Sequence, residues 1–329
     1  MPKLFVKTFG CVQNEADTER IRAFYWQNGY EEVDDWKKAD LVIINSCVVR
    51  ESAENRVYGL INEIRKSQKK IKILLTGCLV GILGRKKIKG VDEMLPIKKI
   101  GFELEPLREK SGAALIPISN GCDHFCSYCI VPYSRGREVS RPMVEILNEV
   151  NKAVRNGFEE VVLIGQNVNS YGKGKFPDLL EKVAKKKLKK ISFVSSNPWD
   201  FSDRLIEVVA KNKNIDRLIH LPLQSGDDEI LRKMNRKYTA KEYLDLVKKI
   251  RKRIKGVRFS TDIIVGFPGE DEKAWQNTVE MCKKVGFEIA YLNKYSPRAG
   301  TVSAKLYKDD IPMVVKKERW QELNKLINV

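Results

Sequence analysis

The chain has no apolar stretch that could cross a bilayer. Its longest, residues 73–84, has twelve residues, short of the roughly 18 or more that a spanning helix needs, so no membrane role is expected. Residues 1–8 read as a strand and lack the basic leader and apolar core of a signal peptide, which gives a cytoplasmic location as the expectation. Acidic residues are outnumbered, 43 Asp and Glu against 61 Lys and Arg, and the net charge of +18 favours a polyanionic partner through counterion release. Charge alone is not proof, because clusters such as Lys185-Lys186-Lys187 and Lys189-Lys190 serve equally well as solvated helix ends. Cysteines number only seven, and in a cytoplasmic chain they suit metal ligation or redox chemistry better than structural disulfides.

What is present suffices for two cores: 43% of the 329 residues are hydrophobic. Over residues 1–90 the pattern is strand 4–8, helix 17–27, strand 41–45, helix 53–67 and strand 71–76. That order predicts a parallel sheet with crossover helices, a small doubly wound α/β domain. Residues 91–110 lose the rhythm, mix Gly, Pro and charge, and read as a connector. Alternation resumes over 111–294, with strands at 114–118, 161–164, 191–194, 218–221, 258–264 and 288–292. Six repeats are too few for a closed eightfold barrel and too many for a simple dinucleotide fold, so an open, partial (β/α)6 barrel is expected. Residues 295–329 add an extension ending in an amphipathic helix from about Met313.

Cys11, Cys47 and Cys78 each stand just past the carboxyl end of a predicted strand of the first domain. Those ends share one edge of an open parallel sheet, where ligands bind, so the fold itself predicts that the three thiols converge. Any one of them could be simple packing at a strand end; the threefold coincidence argues otherwise. Three thiolates can hold a 4Fe-4S cluster and leave one iron open, since a full protein set is four. A second triplet, Cys122, Cys126 and Cys129, is local and follows the first barrel strand, where a barrel keeps its active site. Zinc is the alternative there, with His124 as fourth ligand, although its place between the first two cysteines is awkward for a tetrahedron.

The Cys-x3-Cys-x2-Cys loop, with Tyr128 before the last cysteine, resembles the hallmark of the radical S-adenosylmethionine superfamily. The resemblance implies that S-adenosylmethionine chelates the open iron and is cleaved to a 5′-deoxyadenosyl radical. Lys7-Thr8-Phe9-Gly10-Cys11, Ile44-Asn45-Ser46-Cys47 and Thr76-Gly77-Cys78 narrow the likeness to the methylthiotransferases. Val131-Pro132-Tyr133-Ser134-Arg135-Gly136, Gly165-Gln166-Asn167-Val168-Asn169-Ser170-Tyr171, Leu221-Pro222-Leu223-Gln224-Ser225-Gly226 and the segment from Asp262 to Glu270 are most similar to the branch acting on isopentenyladenosine beside the anticodon of tRNA. In that family the barrel cluster makes the radical, which takes hydrogen from carbon 2 of the adenine, and the N-terminal cluster carries the sulfur delivered there. A tRNA anticodon stem-loop, a low-potential electron donor and a sulfur donor are the implied partners. The alternatives are threonylcarbamoyladenosine or a ribosomal-protein aspartate as substrate, or a non-catalytic iron-sulfur protein that binds RNA or serves redox. Two departures stand out: Ser196-Asn197-Pro198 replaces a common Ser-His-Pro, and the sequence stops at Val329 before the family's RNA-binding TRAM domain could begin.

Further cofactor contacts are expected from Tyr128, Gly165, Gln166, Asn167, Ser196, Gln224, Ser225, Asp262 and Gly266. Gly165 and Asn167 also suit a plain turn, Gly266 close backbone approach, and Gln224 and Ser225 the cap of a helix near Asp227. Tyr133, Arg135, Arg137 and Arg141 read as an RNA-facing basic and aromatic patch. His220 reads as a hydrogen-bonded core histidine, and Cys282 as packing within a helix.

Overall fold

The computed structural model describes residues 1–49, 51–67, 70–83, 86–99, 104–109 and 112–328. Its N-terminal part is a parallel sheet of β1 (Lys3–Phe9), β2 (Glu31–Glu32), β3 (Leu41–Ser46), β4 (Lys72–Gly77) and β5 (Glu93–Met94), in the order β2-β1-β3-β4-β5. Strand β3 is buried along its whole length, as a central strand covered on both faces must be. Its alternate residues feed two cores. Val42 and Ile44 pack with Val57, Ile61 and Ile64 of α2 (Glu51–Lys66), while Leu41 and Ile43 pack with Ile21 and Tyr25 of α1 (Val12–Gln27). The doubly wound expectation therefore holds. The sheet runs on through β5, so the stretch read as a connector begins as a strand; its residues 100–103 and 110 lie outside the described residues.

The second part carries parallel strands β6 (Ala114–Pro117), β9 (Glu160–Ile164) and β10 (Lys190–Phe193), then β11 (Leu218–His220), β12 (Arg258–Val265) and β13 (Ile289–Lys294). The two runs join where Ile191 pairs with Ile215. Among the described residues no pairing closes β13 onto β6, so the barrel is open, as the spacing predicts. A short antiparallel hairpin, β7 (Ser119–Asn120) with β8 (Val139–Ser140), follows β6 and brackets the second cysteine loop. Sequence periodicity does not reveal so short a pair. Within the bracket lies α4 (Val131–Arg135), and after it comes α5 (Met143–Arg155).

The two parts interlock at named residues. Helix α3 (Cys78–Leu83) lies against α4, and a Cβ at Gly81 would run into the Ser134 backbone. Ile130, the residue after Cys129, is buried in the core formed by β3, β4 and α2. A buried carboxylate, Glu149 on α5, accepts from Arg20 of α1 at 3.0 Å, from Arg141 at 2.7 Å and from Arg108 of the connector. Burial alone would raise the Glu149 pKa, but the three guanidinium groups outweigh it and hold the carboxyl below its ordinary range. The last helix, Met313–Ile327, covers the open side at β13. No helix among the described residues is long and apolar enough to cross a membrane.

Candidate functional site

In the first sheet Phe9 pairs with Ser46 and Ser46 with Gly77. Strand ends in such register are about 4.8 Å apart; Cys47 and Cys78 follow those ends directly, and Cys11 follows its own after Gly10. Cys11 caps α1, where Asn14 Oδ1 accepts from its N–H at 3.4 Å, and Cys78 opens α3. Cys47 and Cys78 are buried, whereas Cys11 is exposed. Protein crowding on its inner side still pushes the Cys11 thiol up; the Arg135 charge lowers it and the neighbouring Cys78 raises it.

The second triplet sits at the barrel mouth. Cys122 N–H donates to Gly136 O at 3.2 Å, and Cys129 N–H to Cys126 O at 2.9 Å. Burial raises the Cys122 thiol to about 11 and the Cys129 thiol to about 12, with Cys126 adding to both. No disulfide joins any of the cysteines. Among the described residues no three ligating side chains converge as ligands of a single ion would. A cubane asks for a wider triangle, because each thiolate binds a different iron, and two sets of three thiols fit that donor chemistry. His124 is turned elsewhere: its Nε2 lies 2.8 Å from Asp200 Oδ2 and 2.6 Å from Asn167 Nδ2, which removes it as a fourth zinc ligand in this arrangement.

Around that mouth the backbone is strained. Phe125, Ser195 and Gln224 hold φ of 47°, 64° and 68°, a region that L-residues other than Asn and Asp seldom occupy and that collects at ligand sites. Gln224 is locked there by its N–H to Asp262 O at 2.8 Å and by Ile264 N–H to its own carbonyl at 3.0 Å. Tyr128 packs against the cluster of Ile230, Met234, Phe267 and Tyr295, and burial drives its phenol well above its ordinary value. Asn167 donates to Asp200 at 2.8 Å and accepts from Asn197 N–H at 3.2 Å. Asp262 lies 3.1 Å from His220 Nε2, whose Nδ1 accepts from Ser195 N–H at 3.1 Å, so His220 is the hydrogen-bonded histidine expected.

Several residues do other work than the sequence suggests. Gln166 accepts from Gly121 N–H at 2.5 Å and donates to Gln13 of α1 at 3.3 Å, clamping the cysteine loop. Gly165 stands against the buried Ser119 hydroxyl, 2.6 Å from where a Cβ would be. Ser196 is buried, donating to His220 O, and Ser225 accepts from Asp227 N–H at 3.2 Å in a local turn; the cap of the helix that follows is Asp227, whose side chain accepts from Glu229 and Ile230 N–H, and not Gln224 or Ser225. At Gly266, φ is +68° and the missing side chain's space is taken by the methylenes of Lys316, so a helix residue rather than a ligand approaches it. The RNA-facing patch needs correction: the Arg135 side chain is only 3% exposed and is bound to Asp17, and Arg141 is committed to Glu149. Tyr133 and Arg137 do reach the surface, beside Phe125.

Sequence reading missed Arg236. Its guanidinium is partly buried, donates to Cys126 Sγ at 3.5 Å, to Asn197 Oδ1 at 3.1 Å and to Pro222 O at 3.2 Å, and stacks on Trp199 and Tyr238. Nothing local marks it among the basic residues of Arg232 to Lys237. Cys282 is buried in the main core, its thiol raised to about 12 by burial, as a packing residue should be.

Residues 116–282 match the radical SAM superfamily, and residues 3–95 match the family described as Uncharacterized protein family UPF0004. The chain is 40% identical to the tRNA-2-methylthio-N(6)-dimethylallyladenosine synthase of Staphylococcus aureus (strain JH9), an alignment that spans 98% of this chain and 70% of the relative. Among solved structures the fold is similar to the radical S-adenosylmethionine methyltransferase TsrM from Kitasatospora setae, with a TM-score of 0.69 at 15% identity over 92% of this chain and 77% of that one. It is also similar to the cobalamin-dependent S-adenosylmethionine radical enzyme OxsB, at a TM-score of 0.59 and 10% identity over 98% and 56% of the two chains. At such identities these likenesses speak for the fold alone. Matched to the superfamily through its barrel and to the synthase along nearly its whole length, the chain belongs to the radical S-adenosylmethionine superfamily and, within it, to the family of the tRNA-2-methylthio-N(6)-dimethylallyladenosine synthases.

Proposed function

We propose that this chain adds a methylthio group to carbon 2 of N6-isopentenyladenosine next to the anticodon of tRNA. The observation that carries this reading is the junction of α3 and α4: one begins at Cys78 and the other begins two residues after Cys129, so the two thiol triplets flank a single contact. When bound, two 4Fe-4S clusters and S-adenosylmethionine supply the radical that removes hydrogen from carbon 2 and the methylated sulfur that replaces it.

The chain's own residues hold and shield that chemistry. Cys122, Cys126 and Cys129 hold one cluster and Cys11, Cys47 and Cys78 the other. Loading the barrel site releases protons from Cys122 and Cys129, whose thiols burial raises further above the ordinary range. Arg236 places a fixed positive charge at Cys126, and Gln224 and Asn167 line the mouth where the cofactor would lie. Tyr128 and its apolar neighbours exclude water from the radical site. A low-potential electron donor and a sulfur donor complete the cycle, and a cytoplasmic setting supplies both along with the tRNA.

Anaerobic reconstitution of two triple variants with a prenylated anticodon stem-loop tests the reading. Alanine at Cys122, Cys126 and Cys129 should remove about half of the iron and abolish cofactor cleavage. Alanine at Cys11, Cys47 and Cys78 should leave cofactor cleavage in place and eliminate the methylthio nucleoside from the mass analysis. Product at normal yield from the second variant would refute the proposed role of those three thiols.

A further inference from the structure

Arg135 belongs to the barrel part of the chain, yet it is bound to the other cysteine site. Its Nε–H donates to Cys78 Sγ at 3.1 Å, its Nη1 to Asn120 Oδ1 at 3.0 Å and its Nη2 to Asp17 Oδ2 at 2.7 Å. A guanidinium whose task was only to neutralise Asp17 would present two parallel N–H groups to the carboxylate. Here the fork is divided, one edge to the carboxylate and one to the sulfur. Asp17 is itself fixed from its far side, accepting at Oδ1 from Gln13 Nε2 at 3.3 Å. Gln13 Oε1 in turn accepts from Gln166 Nε2 at 3.3 Å, and Gln166 Oε1 accepts from Gly121 N–H at 2.5 Å. A continuous hydrogen-bonded path thus runs from the residue preceding Cys122 to the sulfur of Cys78.

We propose that Arg135 is a positioning residue for the N-terminal cluster, aimed at Cys78 by Asp17 and Asn120, and that its N–H···S bond raises that cluster's reduction potential. The proposal rests on the reading that Cys11, Cys47 and Cys78 hold a cluster. When one electron enters from an external low-potential reductant, the added negative charge spreads over iron and sulfur. A cationic donor on a ligand sulfur stabilises that reduced form more than the oxidised one. Arg135 keeps its proton throughout, and no bond is made or broken.

The test uses the full-length chain with Cys122, Cys126 and Cys129 changed to Ala, so that only the N-terminal site can hold iron. Iron content and an EPR-monitored titration with dithionite are measured for this parent and for its R135Q derivative. R135Q should assemble the cluster and show a midpoint potential shifted to lower values. An unchanged midpoint with full iron would overturn the proposal. A parent that holds no iron would refute the reading of the three thiols, and the proposal would fall with it. If R135Q alone fails to assemble, labelling the parent with 15N-arginine decides: hyperfine coupling of guanidinium nitrogen to the reduced cluster supports the bond, and its absence overturns it.

Discussion

Two arginines, each turned inward and each touching a cysteine sulfur, change how the net charge of +18 is to be read. The cations nearest the two cysteine sites are turned inward, and if the proposed tRNA docks at the mouth its contacts are expected from side chains that reach solvent. Tyr133 is 43% exposed and the Arg137 side chain 70%, the latter lying over the Phe125 ring at 5.0 Å. An aromatic surface beside a cation suits an unstacked base and its phosphate, with stacking contributing roughly 1–3 kcal/mol per base. Alanine at both positions should weaken binding of an anticodon stem-loop while iron content stays constant. Each phosphate that is no longer neutralised should flatten the log-log salt dependence by about 0.7. Fluorescence anisotropy over a salt series checks this, and an unchanged affinity and slope would place the RNA elsewhere on the molecule.

At the scale of elements, the packing of α3 on α4 sets how closely the two cysteine sites approach. Gly81 has no room for a side chain against Ser134, and Ser134 Oγ donates to Cys78 O at 2.7 Å across the same junction. Gly81→Val should prise the helices apart at a cost of roughly 1–3 kcal/mol, lowering the midpoint of thermal unfolding and detaching Arg135 from Cys78. Strands β1, β3 and β4 and the six barrel strands could be read in the sequence because their apolar runs are long and regularly spaced. The cysteines could be read because each follows such a run or forms a compact loop. The β7–β8 hairpin could not be, being two residues on each side. Nor could the inward turn of Arg135, Arg141 and Arg236, since apart from Tyr238 beside Arg236 the side-chain partners of these arginines lie 8 to 118 positions away and leave no local periodicity. Lys316 is a similar case: its side chain is 1% exposed, bonded to Tyr295 O at 3.1 Å and to Asp309 at 2.5 Å, yet its sequence neighbourhood is that of a solvated lysine.

For the molecule as a whole, Glu149 is the point at which α1, the connector and the barrel meet. Glu149→Gln would leave three guanidinium groups facing a neutral amide, and breaking a buried pair costs roughly 3–5 kcal/mol, with the low end expected because an amide keeps some hydrogen bonds. The pH dependence has a definite sign. Because the folded carboxyl is held below its unfolded value, its contribution is complete above the ordinary glutamate range and is lost as pH falls through the depressed value. The gap in unfolding temperature between wild type and Glu149→Gln should therefore be widest near neutrality and close under acid. A gap that widens toward low pH would contradict this assignment. Ile130 carries a different consequence, one of timing. The N-terminal sheet is synthesised first, but one position of its core is filled by a residue from the barrel's cysteine loop. Without that loop the sheet's core lacks one side chain, and the residue that supplies it is joined directly to Cys129. Completing the core of the first sheet therefore depends on the placement of the loop that carries Cys129.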